Sequence, residues 1–376
     1  MTESPSQEHA SYGRGMRSYE LGNPELDKRI RQLVADAGDA GNQDLLAEMI
    51  VTVLRLHRDR APRGDLKLIN TALKEMRYSL IVFGRHFEPK VTIFGSARIF
   101  PPDPNYGLSE EFGRLMAEKG WGVITGAGPG IMEAGAKGAT PEHSYGVNIR
   151  LPFESDANPY LKPERTVNYK YFFTRKLTFV KESAAFALFP GGYGTLDEAF
   201  ELFTLMQTGK SDLHPVVLME SPEENYWETL LAFLDGVLAA RGLISPADLH
   251  LFSVVPDAEA AVAHILRFYA NYHSQRFVDG RLVLRVHHEP TPEVLELLSE
   301  EFADLLVSGR IDVVDPSPQE VTDSDALDLV RLALNFDRHS FGRLRLLIDR
   351  LNDLVEAPDT VAPPAPFDEE QAERPW

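Results

Sequence analysis

Pro190-Gly191-Gly192-Tyr193-Gly194-Thr195-Leu196-Asp197-Glu198 is the stretch on which the reading of this chain turns. It follows the apolar run Ala184 to Phe189, which has the length of a buried strand, and it opens a helical pattern from Thr195 to Met206. In open α/β sheets, ligands bind beyond the carboxyl ends of the strands. A glycine-rich turn there lets the backbone approach a ligand closely. The helix start adds unpaired N–H groups and a partial positive charge, which together seat an anion. Gly191, Gly192, Gly194 and the hydroxyl of Thr195 therefore form a candidate phosphate site. The purely structural alternative is an S/T-x-x-E capping box made by Thr195 and Glu198. Three glycines within Gly191 to Gly194 exceed what a cap needs.

Outward from this stretch, apolar runs alternate with helical patterns. Val91 to Phe94 reads as a strand ending at Gly95-Ser96, Glu110 to Lys119 as a helix and Trp121 to Thr125 as a second strand. Ile131 to Lys137 is helical, and Tyr145 to Leu151 is a strand leading to a loop with Pro152, Asn158 and Pro159. A helix over Phe173 to Ser183 precedes the central strand. The strand Val216 to Met219 and a helix near Tyr226 to Ala240 follow. This alternation predicts a Rossmann-like, doubly wound α/β domain with a parallel sheet, over roughly 90–272. Before it, 21–89 reads as three helices, with Leu45, Met49, Val53, Leu73, Met76 and Leu80 at helical spacing. After it, 273–355 reads as a small α/β unit. Its expected strands are Arg281 to Val286 and Ile311 to Val314; its expected helices are Pro292 to Leu306, Ala326 to Asn335 and Phe341 to Asp353. Residues 1–20 and the acidic tail 356–376 are expected to be disordered. The wide apolar faces of the flanking segments call for a partner, either the central domain or a second subunit.

A second glycine cluster, Gly126-Ala127-Gly128-Pro129-Gly130, also follows a strand and opens a helix. It approaches the dinucleotide fingerprint G-x-G-x-x-G, but Ile131 stands where the third glycine belongs. Arg175 is placed by lengths. The helix Phe173 to Ser183 runs back roughly 16 Å at 1.5 Å per residue. The strand Ala184 to Phe189 returns about 20 Å at 3.3 Å per residue. Arg175 and the Pro190 to Glu198 loop are therefore expected at the same edge of the sheet, where a guanidinium adds positive charge for an anionic ligand. The structural alternative pairs Arg175 with Glu182 or Glu154. Asn148 and Arg150 stand near the same edge. Phe172, Phe173 and Tyr193 are available either to stack on a base or to pack.

The run Pro190 to Glu198, the Arg175-Lys176 pair and the Gly126 to Gly130 cluster with Met132 resemble the LOG family of cytokinin-activating phosphoribohydrolases, often labelled lysine decarboxylases. The resemblance covers about half the chain, and every fixed position of the PGGxGTxxE motif is matched. Phe94-Gly95-Ser96-Ala97-Arg98 resembles the longer bacterial branch, with its nucleotide monophosphate nucleosidases. The resemblance implies a Rossmann-like fold, usually dimeric, with Glu198 and Arg175 catalytic and the glycines and threonine of the motif on the 5'-phosphate. It extends the substrate-binding set to Ser96, Gly128, Gly130, Met132 and Lys176. The flanking segments 20–89 and 273–355 depart from the short plant-type members.

The residues fit that chemistry. Breaking an N-glycosidic bond builds positive charge on the ribose, and a carboxylate such as Glu198 opposes that charge and orients or deprotonates the attacking water. A bound phosphate fixes the reacting end. Arg175 either neutralises the phosphate or holds the ribose and Glu198 in register. The expected reaction yields free base and ribose 5-phosphate from a nucleoside 5'-monophosphate, with no metal and no cofactor. A non-catalytic nucleotide sensor is the alternative of another class. An NAD-dependent oxidoreductase lacks both the third glycine and an acidic residue ending the next strand. A decarboxylase lacks a recognisable pyridoxal phosphate lysine.

Composition narrows the rest. The 376 residues suit two or three domains, and 43% hydrophobic residues supply a sizeable core. The absence of cysteine excludes a disulfide scaffold, a thiolate zinc site and a cysteine nucleophile. A net charge of -19 argues against nucleic acid as a partner. No apolar run reaches the roughly 18 residues of a membrane span, and Met1 to Arg17 lacks a signal core, so a cytoplasmic protein is expected. His287 and His288 are adjacent on an expected strand and point to opposite faces, which disfavours a shared metal.

Overall fold

The computed structural model describes residues 19–38, 42–149 and 157–355. The expectations for 1–18 and 356–376, and those for Glu154 and Arg150, lie outside them. The chain divides into two compact units, with the boundary after Lys74.

The first unit holds α1 (Pro24–Asp36), α2 (Gln43–Arg58) and the beginning of α3 (Arg63–Phe83). Asn23 caps α1 by accepting from the Leu26 N–H, and Pro24 stands where no N–H is needed. Ile30, Val34 and Val51 are buried in this unit, whereas Leu45, Met49, Val53 and Leu73 remain exposed. The apolar stripe read from the sequence is therefore mostly uncovered.

The second unit is built on a seven-stranded parallel sheet of order β4-β3-β2-β1-β5-β6-β7. Its strands are β1 (Lys90–Phe94), β2 (Gly122–Thr125), β3 (Ser144–Ile149), β4 (Thr166–Tyr169), β5 (Ala185–Leu188), β6 (Val216–Leu218) and β7 (Ser253–Val254). Every residue of β1, β2 and β5 is buried. Successive strand side chains point to opposite faces, so both faces of the sheet are covered. The covering helices include α4 (Pro104–Glu118), α5 (Ile131–His143), α6 (Phe172–Glu182), α7 (Tyr193–Gln207), α8 (Tyr226–Phe233) and α9 (Ala258–Phe268). α8 continues as a π-helical turn over Leu234–Ala239.

The chain starts the sheet in the middle, at β1, builds outward to β4, then returns to the other side of β1 with β5. Strand order reverses between β1 and β5, and crevices for ligands open at such a point, beyond the carboxyl ends. Gly95-Ser96 and Pro190-Gly191 are the residues that leave the sheet there. Their turns are tied together, because the Ser96 N–H donates to the Pro190 carbonyl at 3.1 Å.

The remaining elements form an antiparallel sheet of order β10-β11-β9-β8, made of β8 (Tyr272–Val278), β9 (Arg281–Val286), β10 (Leu306–Val314) and β11 (Val330–Phe336). α10 (Pro292–Glu301), α11 (Pro318–Asp323) and α12 (Phe341–Leu354) accompany it. The helix expected over Ala326 to Asn335 is instead β11. Leu332 and Leu334 join Leu282 and Leu284 of β9 in the core, and this pairing overrides a local pattern that also fits helical spacing. β4, β7, α9 and β8 were not foreseen. α12 binds this sheet to the larger one: the Asn352 side chain accepts from the Asn271 and Tyr272 N–H groups and donates to the Phe268 carbonyl. No helix among the described residues is long and apolar enough to cross a membrane.

Candidate active site

α7 begins at Tyr193 with Gly192 as its N-cap, and no side chain caps it. Thr195 thus lies inside the first turn, its N–H donating to the Gly192 carbonyl at 3.1 Å. The capping box of Thr195 and Glu198 is not formed. The helix start is left with the open N–H groups that suit an anion. Gly192 and Gly194 are exposed, while Gly191 is pressed against Thr195 and Ser96, so that a β-carbon there would sit 2.7 Å from the Thr195 Cβ. The Tyr226 hydroxyl donates to the Gly191 carbonyl at 2.7 Å and pins the loop from the next helix.

The second glycine cluster lies at the carboxyl end of β2. Gly130 has a φ of 72°, and a β-carbon there would meet the backbone of Ser96 and Ala97. This close approach brings the loops after β1 and β2 together, and the Ile131 N–H donates to the Ser96 carbonyl at 3.0 Å. Asn158 braces the turn from the other side. Its N–H donates to the Ala127 carbonyl at 3.0 Å and its side-chain amide to the Gly128 carbonyl at 3.2 Å. Gly126 leaves room for Met132 and Arg175 together, since a β-carbon there would lie 2.8 Å from the Met132 sulfur and collide with the guanidinium.

Arg175, in the first turn of α6, donates from Nε to the Val147 carbonyl at 2.8 Å and from Nη2 to the Gly126 carbonyl at 3.4 Å. Its guanidinium lies 5.0 Å from the centre of the Phe179 ring. It is thereby held at the carboxyl ends of β2 and β3. Glu182 pairs instead with Lys181 at 2.8 Å.

The starts of α6 and α7 meet through Lys176. Its ammonium is 2.6 Å from Glu201, 2.9 Å from Asp197 and 3.8 Å from Glu198. Asp197 is thus an ion-pair partner. Glu198 is buried, and burial pushes its carboxyl up to about 7, against the pull of Lys176 and Arg175 and with the help of Glu201 and Asp197. Burial acts on Lys176 in the opposite sense, but the carboxylates of Glu201 and Asp197 win and hold it charged. The arrangement is a carboxyl near neutrality, flanked by two cations, beside an uncapped helix start.

Tyr193 is almost fully exposed and Phe172 and Phe173 are half exposed, so none of the three is a core residue. Asn148 donates to the Asn168 side chain at 2.8 Å on the neighbouring strand. His287, just beyond the end of β9, is turned toward His273, with ring centres 5.6 Å apart, and both are far from the crevice in sequence. Among the described residues no group of three or more His, Asp or Glu is arranged to hold a metal ion. Asn158, Tyr226 and Glu201 are contributors that the sequence reading missed. Each acts through a fold contact, and the only local signal was the position of Tyr226 at a helix start beyond a strand.

A family described as possible lysine decarboxylase has a model that matches residues 129–265. The cytokinin riboside 5'-monophosphate phosphoribohydrolase LOG1 of Arabidopsis thaliana is 41% identical over 88 residues, which are 23% of this chain and 39% of that protein. The probable cytokinin riboside 5'-monophosphate phosphoribohydrolase LOGL5 of Oryza sativa subsp. japonica is 31% identical over 154 residues, 39% of this chain and 59% of that one. The chain spans about two fifths of the length of the first of these curated relatives. Among solved structures, the molybdenum cofactor binding protein of Rippkaea orientalis aligns with 18% identity and a TM-score of 0.36, covering 48% of this chain and 97% of its own. The loop Pro190 to Glu198 and Arg175 fall within the segment matched by that family model, and part of the α/β core of this chain is similar to the LOG phosphoribohydrolases.

Proposed function

We propose that the chain hydrolyses the N-glycosidic bond of nucleoside 5'-monophosphates, AMP-like purine nucleotides or cytokinin riboside monophosphates, giving free base and ribose 5-phosphate. The observation that carries this reading is the buried Glu198 carboxyl, raised to about 7, one turn beyond an uncapped, glycine-flanked helix start. In the proposed complex the phosphate sits at the N-terminus of α7, against Gly191, Gly192, Gly194 and Thr195, with Ser96, Gly128 and Gly130 closing the crevice. Met132 packs against the sugar or base. Glu198, as carboxylate, faces the anomeric carbon. As the bond to the base breaks, its charge opposes the cation developing on the ribose, and it draws a proton from the water whose oxygen bonds to that carbon. The departing base carries away the bonding electron pair and takes up a proton.

Arg175 is fixed by two backbone carbonyls, which supports a positioning and electrostatic task at the ribose end. Lys176 is committed to three carboxylates, which supports charge balance at Glu198 over direct phosphate binding. The exposed Phe172, Phe173 and Tyr193 beside the crevice support a homodimer or higher assembly through this face. Light scattering of the full chain tests that part, and a mass of one chain refutes it.

Base release measured across nucleoside 5'-monophosphates and the matching nucleosides tests the function. AMP is expected to react with a kcat/KM at least about a hundredfold above adenosine, because the helix start offers nothing to a free hydroxymethyl group. Equal values sink the phosphate assignment. Tight nucleotide binding without base release identifies a nucleotide sensor instead.

A further inference from the structure

From Glu75 onward, α3 carries buried polar side chains: Glu75 and Ser79, one helical turn apart. α6 answers with Thr174 and Thr178, also one turn apart and buried. The Thr174 hydroxyl donates to one Glu75 oxygen at 2.6 Å, and the Lys170 N–H donates to the other at 2.7 Å. The Ser79 and Thr178 hydroxyls are 3.3 Å apart, and Thr178 is 2.6 Å from the Tyr169 hydroxyl. α6 has no cap of its own, since Tyr171 at its N-cap position makes no side-chain bond to the helix. The carboxylate of Glu75, from another helix, instead ties the backbone just before α6 to a side chain of its first turn, near the positive end of the dipole. Two charge-assisted hydrogen bonds at these distances are strong and directional.

We propose that Glu75 is a positioning residue for the site, fixing the rotation of α6 and with it the placement of Arg175 and Lys176. Three consecutive residues of α6 serve three surroundings. Thr174 meets α3, Arg175 meets the ends of β2 and β3, and Lys176 meets the carboxylates of α7. Side chains advance about 100° per residue around a helix, so all three directions are set by one angle. A rotation of about 10° carries a long side-chain tip by roughly 1 Å, and misplacement of that size costs up to about a hundredfold in rate. Glu75 lies 100 residues before Arg175 and outside the segment matched by the family model. Its contribution belongs to this chain's own α3.

The consequence for rate rests on the nucleosidase reading, so the test has a second readout that does not. Full-length Glu75→Gln, Glu75→Asp and Thr174→Val are compared with wild type. Tyr269→Phe is the control, losing a buried bond to the Ala184 carbonyl that has no part in α6. Glu75→Gln is expected to lower kcat about tenfold to a hundredfold with KM within about threefold, whereas Tyr269→Phe keeps kcat. Glu75→Asp recovers part of the loss. Hydrogen exchange over 170–176 is expected to be at least about tenfold faster in Glu75→Gln than in wild type. If Glu75→Gln does not fold, Thr174→Val, which removes the partner hydroxyl at constant shape, reads the same two quantities. Unchanged kcat in a folded variant overturns the proposal. If wild type releases no base from any monophosphate, the nucleosidase reading falls by itself, and exchange then decides: faster exchange over 170–176 supports the role of Glu75 and unchanged exchange refutes it.

Discussion

Glu198 carries its charge against the preference of its surroundings, and that has consequences in two directions. Its folded pKa, about 7, lies above its ordinary value of 4.5. A carboxyl raised in this way stabilises the fold below about 4.5, and that contribution is lost as the pH rises through about 7. Glu198→Gln removes the buried charge and is expected to raise stability by on the order of 1–3 kcal/mol above neutrality, with little change near pH 4. The same variant should lose base release by several orders of magnitude while still binding nucleotide, because the amide cannot oppose an oxocarbenium. Thermal unfolding across pH with parallel assays reads both. Turnover within about tenfold of wild type leaves Glu198 without a catalytic role. In the proposed mechanism the carboxylate is the working form, so kcat/KM should rise with pH through about 7. Lys176 pulls that pKa down and also balances Asp197 and Glu201. Lys176→Met should therefore move the rise to higher pH, and a profile that stays in place refutes the coupling.

At the level of elements, the two sheets differ in how much of them could be read in advance. β1, β2, β3 and β5 are largely apolar runs that end at glycine or at a loop, and burial on both faces is the reason apolar residues dominate them. The Gly-rich turns were legible for the same reason: few residues other than glycine fit where backbones approach so closely. β8 and β11 were hidden because their polar residues are buried by partners remote in sequence. Arg285 of β9 stands directly across from Arg331 of β11, an unfavourable pairing by itself. Glu320 of α11 accepts from Arg285 at 2.7 Å and from Arg331 at 3.2 Å, and Asp325 engages Arg285 and Arg276. No local pattern announces such a network. Asn158, Tyr226 and Glu75 escaped notice at the site for the same reason. Burial works to raise the Glu320 carboxyl, but hydrogen bonds from Arg285 and Ser317 and the charge of Arg331 bring it down to about 2. The stability it contributes is present above its ordinary 4.5 and is lost as the pH falls toward about 2. Glu320→Ala leaves two buried arginines short of a partner and should cost about 3–5 kcal/mol in denaturant unfolding at pH 7. A loss below about 1 kcal/mol shows that the network contributes little.

On the scale of the molecule, the hydrophobic core extends beyond the family-matched segment. The core around the parallel sheet includes Val82 and Phe83 from before it, and Leu344, Leu347, Ile348 and Leu351 of α12 from after it. Phe83 stacks on Tyr145 at 5.5 Å between ring centres. Asn352 satisfies the backbone where α9 ends, and Arg345 reaches the His214 carbonyl and the His264 ring. Gly342 lets α12 approach the turn at Pro246–Leu251 so closely that a β-carbon would strike the Ala247 backbone. A fragment of residues 90–272 lacks every one of these partners and also Glu75, and it exposes the apolar face that α12 covers. It is expected to aggregate, because each large apolar side chain left bare forfeits roughly 1.5–3 kcal/mol of burial. A fragment of 75–355 keeps every described residue of the second unit and should be soluble, with cooperative unfolding. Comparing the two fragments by light scattering and thermal unfolding separates a catalytic domain with detachable flanks from a single folding unit. A monomeric, fully active 90–272 establishes the first; a folded 75–355 beside an aggregated 90–272 establishes the second.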